Sequence, residues 1–96
     1  MLRSHDIHNK TWVDLGIEET RPLIMEASMN DGSFLWLVND GDEHRFYGAV
    51  LLIRDRQKTE LLSKASEAEG EAFFSKCIEE YKEAGKHPVI TYCSYD

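Results

Sequence analysis

Oxygen donors gather twice in the first half of the chain. Asn30-Asp31-Gly32 and Asn39-Asp40-Gly41-Asp42-Glu43 each set carboxylates and amides beside a glycine, and Ca²⁺ prefers oxygen ligands of this kind. Neither unit fits the calcium-loop pattern D-x-D/N-x-D/N-G with its distal Glu. Asn, Asp and Gly are also the residues that tolerate positive φ in tight hairpins. Both units are therefore expected to be turns, with no metal bound. His5 and His8 offer a pair of imidazoles, but a closed zinc site takes four ligands, and no paired C-x-x-C or H-x-x-x-H follows. Cys77, Cys93, His44 and His87 could join them only by an accident of folding, so the terminal histidines are expected to be solvated.

A cysteine nucleophile is the other chemistry to weigh, Cys93 with His87 or His44. Its thiol would need a base within hydrogen-bond reach and an electropositive setting. The chain is acidic instead, with 18 Asp and Glu against 11 Lys and Arg and a net charge of −7, which raises a thiol pKa. No G-x-S-x-G, P-loop or G-x-G-x-x-G occurs. The expectation is a protein without catalysis, cofactor or metal. Two cysteines and no export signal also favour buried, reduced thiols over a disulfide.

The acid excess disfavours nucleic acid, whose binding gains affinity when Lys and Arg replace counterions. Anionic membrane surfaces are disfavoured for the same reason. A basic protein partner, such as the nucleic-acid-binding face of another protein, is permitted. One surface suits such a partner. Glu79 and Glu83 are four apart, Glu80 and Glu83 three apart, Glu67 and Glu71 four apart. On a helix such pairs sit about 5–6 Å apart, close to the phosphate spacing along a DNA strand (roughly 7 Å from its charge density). With Glu69, Asp40, Asp42 and Glu43 they could form a negative surface that competes for a basic channel, with Trp36 supplying aromatic contact. The plainer reading is a solvated helix face, interrupted by Lys76 and Lys82.

The elements that must position these residues belong to one domain. Its 96 residues suffice for one modest core. Apolar residues at 42% and charged residues at 30% mark it as globular. Residues 1–10 are polar and expected to be loose. "TWVDL" (11–15) reads as a short strand, and "PLIMEAS" (22–28) as a firmer one opened by Pro22. Alternation would set Leu23, Met25 and Ala27 against Ile24, Glu26 and Ser28. The spacing of the two NDG units fits two turns around one strand, so 22–28, 33–38 and 44–53 read as an antiparallel meander. Gly48 in the third strand could mark a bulge.

The segment 56–65 fits either a strand or a helix starting near Asp55. The strand is preferred, because Ser66 and Glu69 form an S-x-x-E capping box and Gly70 suits no helix interior. A helix over about 67–84 follows, with Phe73, Phe74, Cys77, Ile78, Tyr81 and Ala84 as its buried stripe. Gly85 closes it, and "PVITYCSY" (88–95) reads as a last strand. The expected fold is α+β, an antiparallel sheet of three to four meander strands plus a C-terminal strand, packed on one face by one long helix.

One helix covers one face of a sheet. Yet 33–38 and 46–53 are apolar on both faces: Phe34, Trp36 and Val38 against Leu35 and Leu37, and Phe46, Val50 and Leu52 against Tyr47, Leu51 and Ile53. Trp12, Val13, Leu15 and Ile17 are candidates to cover the second face. Failing that, the face predicts a homodimer or another partner. No apolar run approaches a membrane span, no secretory or lipidation signal is read at the N-terminus, and a cytoplasmic protein is expected.

By class alone, a small acidic domain without a catalytic motif is similar to two kinds of protein. One is the phage-encoded antagonist of host defence, such as the anti-CRISPR proteins. The other is the immunity protein that neutralises a toxin. That resemblance is compositional and carries over no residue. It implies a stoichiometric protein-binding inhibitor, with a structural or accessory homodimeric subunit as the alternative.

Overall fold

The hydrophobic patterning from Leu23 to Cys93 resolves into five strands and one helix. The structure is a computed structural model and describes residues 19, 21–41 and 44–94. The strands are β1 (Leu23–Ser28), β2 (Phe34–Asn39), β3 (Tyr47–Arg54), β4 (Gln57–Ser66) and β5 (Val89–Cys93), and helix α1 spans Glu67–Glu83. The sheet order is β4-β3-β2-β1-β5, with every neighbouring pair antiparallel. Segment 57–66 is thus a strand, and the fold is the expected α+β sheet with a single helix. The expected strand 11–15, the loose segment 1–10, His5, His8 and the covering residues Trp12, Val13, Leu15 and Ile17 lie outside the described residues.

The two turns of the meander differ. Between β1 and β2, Gly32 takes φ +88 and donates its N–H to Met29 O (3.1 Å), while Met29 N–H donates to Ser33 O (2.9 Å). That is a three-residue hairpin closed by a left-handed glycine. The second unit opens a longer loop instead. Asn39 Oδ1 accepts from Gly41 N–H (2.9 Å), and Asp40 N–H donates to Tyr47 O (2.7 Å). Because β2 ends at Asn39, whose partner is Gly48, residues 44–46 have no strand to pair with. The third strand therefore starts at Tyr47 rather than at His44.

Both faces of the sheet are core. Leu35, Leu37, Val50, Phe74 and Cys77 pack with Phe73, Ile78 and Tyr81 under the helix, as the stripe predicts except at Ala84, which is the C-cap residue and exposed. Trp36, Val38, Ala49, Leu51 and Ile53 form a second cluster on the opposite face. Trp36, Val38 and Leu51 are 0% exposed within a single copy of the chain, so they present no apolar patch. The expected alternation of β1 breaks. Ile24 and Met25 both join the helix-side cluster, while Leu23 joins Trp36. The register shifts between Leu23 and Met25, so an extra residue sits there and breaks the period of two.

Glycine sets how closely the helix lies. A Cβ on Gly48 would come within 3.0 Å of Gly70 Cα, and one on Gly70 within 3.1 Å of Gly48 Cα. Gly70 falls in the first turn of α1 and is buried, so backbone meets backbone at the β3–α1 crossing. Gly48 itself pairs regularly with Asn39. The register breaks beside it run against β4, where Lys64 takes φ 53; the bulges belong to β4.

Both helix ends are closed by local chemistry. Ser66 Oγ accepts from Glu69 N–H (3.1 Å), and Glu69 Oε1 accepts from Ser66 N–H (3.2 Å), a complete capping box. At the other end Gly85 (φ +79) donates to Lys82 O (3.1 Å) and Lys86 N–H to Tyr81 O (2.9 Å), the Schellman arrangement.

Candidate functional site

The acidic residues singled out from the sequence do not form one surface. Glu79, Glu80 and Glu83 are exposed on the C-terminal half of α1. That end docks onto the first NDG turn. Asn30 N–H donates to Lys86 O (2.9 Å), Asn30 Nδ2 to Gly85 O (3.0 Å), and Lys86 Nζ to Asp31 Oδ2 (2.9 Å). The Ser33 hydroxyl and N–H, with Lys86, hold the Asp31 carboxyl well below the usual range. The first NDG unit thus doubles as the seat for the helix end.

Asp40 lies at the far end of β2, about 20 Å away at 3.3 Å per residue. It is already engaged. Arg21 Nη1 donates to Asp40 Oδ1 (3.0 Å) and to Glu60 Oε1 (2.9 Å). The same guanidinium grips Glu19 through Nε (2.7 Å) and Nη2 (2.9 Å), and Lys58 Nζ adds a third donor (2.9 Å). Burial alone would raise the Glu19 pKa, but these donors outweigh it and set the carboxyl at about 2. Glu69 is committed to the capping box. Asp42 and Glu43 lie outside the described residues. Trp36 is fully buried, and its indole N–H donates to Glu26 Oε2 (2.8 Å). A residue so placed offers no contact to a partner, which corrects its expected surface role.

The two cysteines sit in different settings. Cys77 is buried, and burial, then the Glu80 charge, pushes its thiol up. Cys93 is exposed at the sheet edge rather than buried as expected. No group of three or more His, Cys, Asp and Glu side chains among the described residues could hold a metal ion. No helix among them is long and apolar enough to cross a membrane.

A different feature stands out between α1 and β5. An open groove of about 250 Å³ is lined by Met25, Phe74, Ser75, Ile78, Glu79 and Ile90. Its floor is apolar and one wall carries Glu79. Helical spacing puts Glu71, Ser75 and Glu79 in one row along this wall. Val89 and Ile90, on the other side, are 60% and 46% exposed. Sequence reasoning marked Glu79 but missed this groove. The β-rich run 88–95 reads alike for a central or an edge strand, and only the sheet order among the described residues places β5 last, beside β1. No protein-family model, no curated protein and no solved structure matches the chain.

Proposed function

We propose that this chain is a stoichiometric protein-binding inhibitor of a basic, nucleic-acid-binding protein, of the kind that phage anti-defence proteins exemplify. It acts by occupancy, without catalysis. The observation that carries the reading is the pairing of an apolar groove with an acidic wall, Met25, Phe74, Ile78 and Ile90 beside Glu79. Apolar contact supplies buried area, and the carboxylates supply steering and partner choice. The net charge of −7 acts in the same sense over a longer range. Lys82 lies 3.3 Å from Glu79, but both side chains are more than half exposed, so the pair is weak and yields to a partner cation.

The test is affinity capture at about 0.05 M and 0.5 M salt, where screening differs several-fold in range. The wild-type chain is expected to retain basic proteins at low salt and lose them at high salt. A Glu79→Lys/Glu80→Lys/Glu83→Lys variant should retain none. Capture that ignores both salt and charge reversal overturns the reading. Undiminished capture by Cys77→Ala/Cys93→Ala would separate this reading from cysteine catalysis. A captured toxin in place of a nucleic-acid-binding protein would move the assignment to the immunity class.

A further inference from the structure

We propose that a groove between α1 and β4 seats a second copy of this chain, the two helices lying antiparallel about a twofold axis between Ala72 and Phe73. This goes beyond the protein-binding reading above and does not depend on it. The groove, of about 310 Å³, is lined by Leu62, Glu69, Ala72, Phe73 and Lys76. At about 100° per residue, Glu69 and Lys76 point within about 20° of each other, and Ser75 points about 100° away from Lys76. This groove and the one walled by Glu79 therefore flank α1 on opposite sides. Leu62 and Phe73 are half-buried, whereas Glu69, Ala72 and Lys76 are exposed. Among the described residues, Lys76 has no hydrogen-bond or ion-pair partner. Glu69 gives Oε1 to the capping box, which leaves Oε2 for a cation.

The order of charges selects the occupant. Along α1 the groove presents an acid, a methyl group, an aromatic ring and a base, Glu69, Ala72, Phe73 and Lys76. A twofold axis reverses that order in the second copy, so Glu69 of each copy meets Lys76 of the other, and Ala72 meets Phe73. The two ion pairs stand about 10 Å apart, at 1.5 Å per residue, and form together. Ala72 ends at Cβ, which lets the helices approach to about 8 Å. Each Phe73 ring then covers the other copy's Ala72, above Leu62. Glu80, one turn beyond Lys76, stays at the rim, where a charge weighs little. The net −7 of each copy opposes association at long range, but physiological salt screens exposed charges beyond about 8 Å. What remains at the contact is the alternation of Glu69 and Lys76. A basic protein would meet Lys76 here, so this flank does not compete with the Glu79 groove for the same partner.

The test is sedimentation of the full chain over about a hundredfold range of concentration at about 0.15 M salt. The wild-type chain is expected to pass from monomer to dimer as concentration rises. Ala72→Arg should stay monomeric with an unchanged circular dichroism spectrum, because position 72 is exposed and both residues favour helix. Glu69→Gln keeps the capping box, which accepts Gln at N3, and should weaken the dimer about tenfold. The decisive arm mixes two variants. Glu69→Lys places like positive charges at both positions, and Lys76→Glu places like negative charges there. Each alone should be monomeric, and an equimolar mixture should form a 1:1 heterodimer. A wild-type chain that stays monomeric throughout overturns the proposal. So does a dimer that survives Ala72→Arg or ignores Glu69→Gln, and so does a mixture of the two folded charge variants that fails to pair. None of these outcomes bears on the capture of basic proteins, so the two readings fail separately.

Discussion

Two residue-level features decide how this small domain holds together. The first is the Gly48–Gly70 crossing. In most helices Gly→Ala gains up to about 1 kcal/mol. Here the added methyl would press on Gly48 Cα at 3.1 Å and Leu37 Cδ1 at 3.2 Å, so Gly70→Ala should instead destabilise by about 1–3 kcal/mol. Thermal unfolding checks the sign. The second is Glu19. Its carboxyl sits at about 2 against an ordinary 4.5. A folded-state pKa below the unfolded one gives stability that is complete above pH 4.5 and is lost as pH falls towards 2. With its side chain only 2% exposed, the contribution is about 3 kcal/mol. Chemical denaturation from pH 6 to pH 2 should show this loss, and Glu19→Gln should flatten it. Asp31 contributes in the same direction. Neither Glu19 nor Arg21 is conspicuous in the sequence, where they read as an acidic connection before a strand. Their value comes from Lys58 and Glu60, which only the β3–β4 fold-back brings near.

Among the elements, the helix and its caps were the most legible. Ser66 and Glu69 stand three apart just before an apolar stripe, and that local chemistry needs no tertiary help. Ser66→Ala should cost about 1 kcal/mol in thermal or denaturant unfolding. The two apolar faces of β2 and β3 were also readable, because a period of two runs unbroken through Phe34–Val38 and Phe46–Ile53. Other features were not. The β3–β4 turn uses Asp55 (φ 53) and Arg56 (φ 62), both left-handed as a type I′ turn requires. The strand reading of 56–65 already places a turn at Arg54-Asp55-Arg56-Gln57, and the structure has it there; an arginine in that position gives no signal of the turn's type. It also pays for its conformation, so Arg56→Gly should stabilise by about 0.5–1 kcal/mol, read as a higher denaturant midpoint. The bulges at Ile24–Met25 and on β4 are likewise set by register against neighbours and not by local residue type.

At the scale of the whole molecule, the sheet order creates the candidate site. β5 returns after α1 to lie beside β1, which places Ile90 across the open groove from Ile78 and Glu79 of the helix. Trp36, at the centre of the second face, is core, so attention moves from that face to Val89, Ile90 and the Glu71–Glu79 wall. Among the described residues, Glu19, Glu26, Asp31, Asp40, Glu60 and Glu69 are spent on structure, whereas Glu79, Glu80 and Glu83 face solvent on α1. The most direct measurement is backbone amide hydrogen exchange of the full chain, alone and with the basic protein it captures at low salt. Exchange should slow at Ile90 and along the Glu71–Glu79 side of α1, with β4 unchanged. Protection at β4, or none along that side of α1, would contradict the account.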